Sequence, residues 1–302
     1  EPRFSPRISL DEKKASGRAP RTFAIDGSEV DLGGAYRVTE SSLGVYGEAA
    51  WTVVPGVRVI GGLRADHYGY SVRARDAEAA ALGEGTGTDT IVSPRVALAW
   101  TVTPQVELYA NWGKGFHSND VRGAVTATPV PVLVHGTGRE LGARLQLGTF
   151  SVTATYWWLD VGSELRFVGD SNAVEPSGAS KRHGYELVLF WRPLPWLAID
   201  GNYTGSHSRY DNGDYIPNAF ENAGQIGVSV IEGPWKFSAR LRHLGPYPLI
   251  EDNSVRDKGS NVVSLRGAYK IGPVEFYAEG VNIFDSGDKD IAYLYESYLP
   301  SF

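Results

Sequence analysis

The feature that most constrains the fold is a long alternation of apolar and polar side chains with period two. In the segment "TFSVTATYWWLDVGSELRF" (Thr149–Phe167), Phe150, Val152, Ala154, Tyr156 and Trp158 fall on one parity, and Ser151, Thr153 and Thr155 fall on the other. This is the side-chain period of a β-strand with two different faces. Strands of soluble domains are usually about 5–6 residues long, whereas a tilted strand needs about 9–11 residues to cross a bilayer. The segment therefore predicts one long strand that crosses a membrane.

Short connections with Pro or Gly alternate along the chain with long polar segments. The short ones lie within Val53–Val59, Thr101–Leu108, Trp191–Ile199, Ile231–Phe237 and Lys270–Phe276. The long ones are Arg75–Thr90, His117–Val130, Gly169–Lys181, Tyr210–Asn218, Ile250–Asn261 and the chain from Phe284 onward. Short turns on one side and long loops on the other are typical of outer-membrane barrels, with periplasmic turns and extracellular loops.

We therefore predict an all-β fold, a transmembrane antiparallel up-and-down β-barrel of about fourteen strands. We expect residues 1–302 to form a single domain. The predicted strands are Pro2–Leu10, Gly17–Asp26, Ser42–Val53, Val57–Val72, Ile91–Thr101, Val106–Phe116, Val132–Leu147, Phe150–Phe167, Arg182–Arg192, Trp196–Tyr210, Asn218–Ile231, Trp235–Gly245, Asn261–Lys270 and Val274–Phe284.

In the segments Arg58–Asp66, Val106–Trp112, Phe237–Arg242 and Val274–Glu279, charged residues keep to one parity. A charge on a lipid-facing position at mid-depth costs about 2–4 kcal/mol, so we expect the charged parity to face a water-filled lumen. The predicted pore-lining residues are Arg64, Glu107, Glu140, Arg144, Glu186, Arg240, Arg242, Glu275 and Glu279. Two alternatives stay open: a soluble sandwich gives the same alternation, and the mixed charges could pair with each other and stiffen the sheet.

Composition excludes several other classes of protein. The 302 residues carry a net charge of −6, which argues against a nucleic-acid partner, and no run of about 18 apolar residues predicts a membrane helix. There is no cysteine and no methionine, and the opening residues lack a charged-then-apolar leader, so we expect no retained signal peptide. The absence of methionine is consistent with a mature form, a fragment or an engineered chain.

Motifs for catalysis or cofactor binding are missing from the sequence. It contains no Walker-type loop, H-E-x-x-H, G-x-S-x-G or metal-binding Cys/His spacing, so we predict neither an enzyme nor a bound cofactor or metal. In "GKGFHSND" (Gly113–Asp120), His117, Asn119 and Asp120 could contact a ligand at a loop mouth, although ordinary solvated loop polarity is the favoured explanation.

Several longer segments resemble the C-terminal barrel half of TonB-dependent outer-membrane receptors. They are "SSLGVYGEAAWTVVPGVRVIGGLRADHY" (Ser41–Tyr68), "VSPRVALAWTVTPQVELYANWGKGFHSNDVRG" (Val92–Gly123), "HGTGRELGARL" (His135–Leu145), "KRHGYELVLFWRPLPWLAIDGNYTGSHSRY" (Lys181–Tyr210) and "VNIFDSGDKDIAYLYESYLP" (Val281–Pro300). The resemblance implies a protein of the bacterial outer membrane. It also implies contact with membrane lipid and import of iron-siderophores, cobalamin or other scarce nutrients.

Nothing in the sequence resembles the plug of that family or its TonB-contact segment. From this we expect a monomeric passive pore or scaffold for small polar solutes, without TonB contact. The alternative is the barrel part of an intact receptor that imports a metal chelate or another nutrient. "EPRFSPRISL" (Glu1–Leu10) resembles the family's last strand, which suggests a circular permutation in which Val274–Phe284 pairs with Pro2–Leu10. An ordinary interior strand is the competing explanation.

Overall fold

A computed structural model describes residues 3–18, 22–23, 29–31, 35–168, 173–176, 178–287, 292 and 294. Its strands are β1 (Arg3–Arg18), β2 (Thr22–Phe23), β3 (Glu29–Asp31), β4 (Ala35–Val54), β5 (Val57–Ala74), β6 (Gly85–Thr103), β7 (Val106–Ser118), β8 (Leu133–Leu147), β9 (Phe150–Val161), β10 (Leu165–Val168), β11 (Ala173–Pro176), β12 (Ser180–Leu194), β13 (Leu197–Tyr210), β14 (Asn222–Glu232), β15 (Trp235–Leu244), β16 (Tyr247–Pro248), β17 (Arg256–Asp257), β18 (Ser260–Ile271) and β19 (Val274–Gly280).

The long strands form one antiparallel sheet of 13 strands in the order β1-β4-β5-β6-β7-β8-β9-β12-β13-β14-β15-β18-β19. Each strand pairs with the next long strand in the chain, which is an up-and-down topology. The remaining strands pair as three small hairpins within the connections: β2 with β3, β10 with β11, and β16 with β17. This confirms the all-β, antiparallel prediction.

The short connections lie together at one end of the sheet. Two-residue turns join β4 to β5, β6 to β7, β8 to β9, β12 to β13, β14 to β15 and β18 to β19. Gly56, Gly148, Gly233 and Gly272 occupy four of these turns with φ between 56° and 83°, a region that glycine adopts without steric cost. The predicted contrast between short turns and long loops is therefore correct.

The helical elements lie in the long loops. Helix α1 (Ala77–Leu82) follows β5, and a short 3-10 helix, Gly123–Val125, follows β7. In the part of the chain that the structure describes, no helix has the length and apolar character needed to cross a membrane.

The prediction of two separate strands at Pro2–Leu10 and Gly17–Asp26 is wrong. The run Asp11–Ser16 is not a turn, because β1 continues from Arg3 to Arg18 and pairs with β4 along its whole length. Arg3 lies opposite Ala50 and Arg18 opposite Ala35, so the charged run lies in the half of the ladder nearer the long loops, where water can solvate both faces of a strand. Of Gly17–Asp26, residues 19–21 and 24–26 lie outside the described part.

In the described sheet β1 has β4 as its neighbour, and both explanations of Glu1–Leu10, a permuted last strand and an ordinary strand, stay predictions. The ladder between Val274–Phe284 and Pro2–Leu10, which a permutation predicts, is not among the described pairings, and β1 and β19 are the edges of the described sheet. The single long strand predicted over Thr149–Phe167 is also wrong. Strand β9 ends at Val161, and Leu165–Val168 belongs to a separate hairpin.

Candidate functional site

The predicted pore-lining residues all lie on one face of the sheet. Direct cross-strand partners project to the same side, so the register can be followed from β4 to β19. In this register the following residues share a face: Arg64, Glu107, Glu140, Arg144, Glu186, Arg240, Arg242, Glu275 and Glu279. We call it the polar face. Whether it lines a water-filled pore stays a prediction.

The opposite face is apolar. It carries exposed large side chains such as Leu108, Leu141, Leu187, Phe237 and Phe276, with exposed fractions from 39% to 61%. We call it the apolar face. A soluble sandwich would bury such a face against a second sheet, yet the described strands form one large sheet and only two-stranded hairpins beside it. The apolar face is therefore the one that suits contact with lipid.

Charges on the polar face form pairs between strands. Arg144 Nη1 lies 3.0 Å from Glu107 Oε1, Lys236 Nζ lies 2.5 Å from Glu275 Oε2, and Arg266 Nη1 lies 3.5 Å from Glu279 Oε2. These side chains are partly exposed, so water screens each pair and its contribution to stability is small. The pairing that the sequence left open as an alternative is thus present in the structure.

Three glycines allow pairs to form across an intervening strand of the polar face. Asp200, Gly227 and Arg240 are successive cross-strand partners, and Arg240 Nη2 lies 3.1 Å from Asp200 Oδ2. In the same way, Glu48 pairs with Arg95 across Gly62, and Tyr109 bonds to Thr155 across Gly142 at 2.5 Å. Without a Cβ on the middle strand, side chains two strands apart can meet. Asp200, Glu48 and Arg95 were not among the predicted pore-lining residues, although their parity within their strands indicates the polar face.

Two long loops pack together over the polar face at the long-loop end of β4–β8. Tyr36 donates a hydrogen bond from its hydroxyl to the Ala79 carbonyl at 3.1 Å, which holds α1 against β4. Asp76 caps α1 by accepting from the Ala79 N–H at 2.9 Å. The buried cluster contains Tyr36, Val72, Ala79, Ile91, Val121, Val132 and Leu133. This end of the polar face is therefore covered by packed loops.

The predicted loop contacts His117, Asn119 and Asp120 lie at the edge of this cluster. Asn119 is only 3% exposed, and its Nδ2 donates to the Pro131 carbonyl at 2.8 Å. Within the described residues, Asn119 Oδ1 and His117 Nε2 are buried without a hydrogen-bond partner. The structure thus places His117 near the end of β7 and Asn119 and Asp120 at the start of the loop that follows, and their contact with a ligand stays a prediction.

Asp120 is engaged by Arg122. Its carboxylate accepts hydrogen bonds from Arg122 Nη2 at 2.5 Å and Nε at 2.9 Å. Burial opposes ionisation of Asp120, but the hydrogen bonds and the positive charge of Arg122 outweigh it and lower the pKa of the carboxyl group. The pKa of Arg122 is raised by the hydrogen bond to Asp120, against the effect of burial. The pair fixes the start of the loop from Asn119 to Val132.

A second loop cluster, which the sequence did not predict, lies above β13–β18. Tyr247 is fully buried and packs edge-on against Phe220 at 4.5 Å, and Arg256 Nη2 lies 2.5 Å from Glu221 Oε1. A cavity of 310 Å³ lies between the end of β13 and the loop that follows it. Its lining is Ser206, His207, Ser208, Arg209, Tyr215, Ala219, Phe220, Glu221 and Pro248.

The acidic and histidine side chains of the described residues are dispersed. Within the described ranges, no three His, Cys, Asp or Glu side chains lie close enough together to hold a metal ion.

Comparison with known proteins places this architecture in a family. The model of the TonB-dependent receptor-like β-barrel matches residues 14–283. Solved structures with the same fold include the copper transporter OprC (TM-score 0.77, 17% identity, 94% of this chain and 48% of that one). They also include the ferric yersiniabactin uptake receptor FyuA from Yersinia pestis (TM-score 0.71, 15% identity, 93% and 45%) and the ferric citrate transporter FecA (TM-score 0.72, 15% identity, 93% and 46%). No protein of curated function matches the sequence.

The two-faced antiparallel sheet, with short turns at one end and long loops at the other, is the wall of a transmembrane β-barrel. The chain belongs to the TonB-dependent receptor β-barrel family, whose members are transport proteins of the outer membrane of Gram-negative bacteria. It spans about half the length of the solved structures that it matches.

Proposed function

We propose that the polar face lines the route of a small polar solute or metal chelate across the outer membrane, as the wall of a nutrient-uptake receptor. The observation that carries this proposal is the separation of the two faces. Charged and hydrogen-bonding groups of both signs occupy the polar face from β4 to β19, and the opposite face is apolar. Such a wall can replace part of the hydration shell of a solute without strong selection by charge.

The similar solved structures support the solute class. OprC is a copper transporter, FyuA takes up ferric yersiniabactin and FecA transports ferric citrate. All three proteins transport or take up a metal ion or a metal chelate. A chelate offers carboxylate, catecholate or similar oxygens, for which guanidinium and hydroxyl donors are suitable partners.

The cavity beside β13 supplies such donors on the long-loop side. Arg209, Ser206 and Tyr215 line it, and the Arg209 guanidinium carbon lies 3.4 Å from the centre of the Tyr215 ring. We propose that this cavity is a first contact site for an anionic chelate. His117, Asn119 and Asp120 belong to the separate loop cluster over β4–β8, and we propose them as a second contact site.

Titration calorimetry with Cu(II), ferric citrate and a ferric catecholate tests the proposal. We expect saturable binding of one of these three ligands. Arg209→Gln should lower its affinity about tenfold, since a hydrogen bond to a charged group contributes about 1.5–3 kcal/mol. Arg58→Gln, which removes the same charge near the short turns, should bind like the unaltered protein. Lack of binding in every class, or an unchanged affinity of R209Q, would contradict the proposal.

A passive pore is the second candidate function. The observation in its favour is that most of the buried residues lie in the half of the sheet with the long loops and within those loops, which leaves the middle of the polar face open to water. A pore should conduct ions without any ligand, whereas a receptor should bind its solute saturably.

A further inference from the structure

Two histidines lie side by side on the apolar face, near its long-loop end. His183 of β12 and His207 of β13 are direct cross-strand partners, and the centres of their rings are 5.2 Å apart. Direct partners on one face of an antiparallel pair have their Cβ atoms about 4.5–5.5 Å apart, so the sheet itself sets the distance between the two side chains. The two imidazoles are therefore held next to each other by regular secondary structure and not by a loop.

The distance between the rings suits a single metal ion. Bonds from zinc or a similar ion to histidine nitrogen are about 2.0–2.1 Å long. An ion bound to one nitrogen of each ring holds the ring centres roughly 4.5–5.2 Å apart, for bond angles between about 90° and 109°. The 5.2 Å between His183 and His207 matches the tetrahedral end of this range. Both rings can therefore bind the same ion with little movement of the strands.

The nitrogens of this pair are available for a ligand. Within the described residues, neither His183 nor His207 makes a side-chain hydrogen bond, and neither ring has a buried unpaired nitrogen. Other histidines of the sheet are engaged: His67 Nδ1 lies 2.9 Å from Thr90 Oγ1, and His243 is hydrogen-bonded through both ring nitrogens. Neutral imidazole is the commonest metal ligand in proteins, so an accessible pair is a suitable site.

A hydrated ion can reach this pair from the long-loop side. Along β12 the apolar face carries Leu187, Tyr185, His183 and then Lys181, whose side chain is 69% exposed. Tyrosine side chains concentrate at the boundary between hydrocarbon and water, so the histidines lie on the water side of that boundary. His207 is exposed and also lines the cavity beside β13.

The positive charges nearest to the pair are mostly offset. Lys181 Nζ lies 3.0 Å from Asp211 Oδ1, and Arg139 Nη2 lies 3.3 Å from Asp160 Oδ2. Arg209 has no such carboxylate partner among the described ion pairs, and its guanidinium lies over a tyrosine ring. Water and salt screen a single exposed charge of this kind, so it weakens the binding of a cation without preventing it.

We propose that His183 and His207 together bind one divalent transition-metal ion of the kind that prefers imidazole, with Cu(II) bound more tightly than Ni(II) or Zn(II). Within the described ranges no third His, Cys, Asp or Glu completes the site, so water or a small ligand fills the remaining positions on the ion. The inference depends on the register of β12 and β13 and not on the transport function proposed above.

Titration of the full chain in detergent with copper(II) chloride, followed by electron paramagnetic resonance, tests the proposal. We expect the spectrum of the unaltered protein to show one tightly bound Cu(II) with hyperfine coupling to two imidazole nitrogens. H183Q or H207Q should each lower the affinity at least about tenfold, because the second imidazole acts at a high effective concentration beside the first. The double variant H183Q/H207Q should lose little more than either single variant, since the pair is one site.

H135Q is the matched control. It removes a lone exposed imidazole from the same face of β8 and should bind Cu(II) like the unaltered protein. The proposal is overturned by an equal loss in H135Q, by unchanged affinity in H183Q, or by coupling to fewer than two imidazole nitrogens. The last result is read from the unaltered protein, so it does not depend on how well a variant folds.

Two further measurements separate this site from the cavity beside β13. His183 does not line that cavity, so H183Q should leave the binding of ferric citrate unchanged, whatever that binding is in the unaltered protein. R209Q should keep the Cu(II) that the histidine pair binds. Cu(II) binding that is lost in R209Q and kept in H183Q would assign the ion to the cavity and overturn the proposal.

Discussion

Arg240 on β15 pairs with Asp200 on β13 directly over Gly227 of the strand between them, with Nη2 and Oδ2 3.1 Å apart. A Cβ at position 227 would lie 2.9 Å from Arg240 Nη2 and 2.9 Å from Asp200 Oδ1. The pair exists because the middle strand has no side chain there. Charged side chains on the polar face are therefore positioned by glycines as well as by their own strands.

Gly227→Ala should separate Arg240 from Asp200 without disrupting the sheet. Arg240 Nη2 and Asp200 Oδ1 are at the ends of flexible side chains, so both can move away from an added Cβ. The pair is about half exposed, so its loss should lower the free energy of unfolding by less than about 1 kcal/mol. A double-mutant cycle with Asp200→Asn and Arg240→Gln, measured by denaturant unfolding from detergent, should show coupling in the unaltered protein and none in G227A. Equal coupling in both backgrounds would show that the glycine is not needed.

Asp120→Asn should loosen the loop from Asn119 to Val132. The change removes the charge that Arg122 neutralises, which we expect to cost about 1 kcal/mol after allowance for partial exposure, or about fivefold faster hydrogen exchange in the loop. Exchange of the distant β18–β19 hairpin is the internal control and should not change. Protection of the loop equal to that of the unaltered protein would contradict a stabilising role of the pair.

The same loop should be sensitive to acid. Because the folded-state pKa of Asp120 is lowered, its contribution to stability is complete above the ordinary carboxyl pKa of about 3.9 and is lost as the pH falls through the lowered value. Loop exchange, corrected for its intrinsic pH dependence, should rise at acid pH in the unaltered protein and remain flat in D120N. A rise of the same size in D120N would assign the acid sensitivity to another group.

Neutralising Arg240 and Arg242 together should shift ion selectivity toward cations. Two positive charges leave the polar face, and Asp200 loses its partner, so the wall becomes more negative. Reversal potentials in planar bilayers under a salt gradient measure the shift, with Leu241→Ala on the apolar face as the control. A conducting R240Q/R242Q variant with an unchanged reversal potential would place these residues away from the ion path.

Alternation within strands made the sheet predictable from sequence. The lipid-facing parity must stay apolar at mid-depth, so the register and the polar face with Glu186 and Arg240 followed from parity alone. The same rule does not apply outside the membrane, where water solvates both faces. For this reason the charged run Asp11–Ser16 resembled a turn although it continues β1.

The ends of strands and the loop clusters depend on contacts between distant segments. Strand β9 ends at Val161, and the chain turns so that Glu164 meets Arg182 of β12 at 2.7 Å. The burial of Asn119 and the packing of Tyr247 on Phe220 likewise depend on which loops lie side by side in the folded chain. No local periodicity encodes these contacts, so the cavity beside β13 could not be predicted.

The assignment of the two faces is tested most directly at Glu186 and Leu187, which are adjacent in β12 and project to opposite sides. The chain has no cysteine, so single variants E186C and L187C can be labelled without background. In lipid vesicles, a water-soluble maleimide should react with E186C at least about tenfold faster than with L187C, since lipid covers only the apolar face. Equal rates, or faster labelling of L187C, would contradict the central claim that the polar face meets water and the apolar face meets lipid.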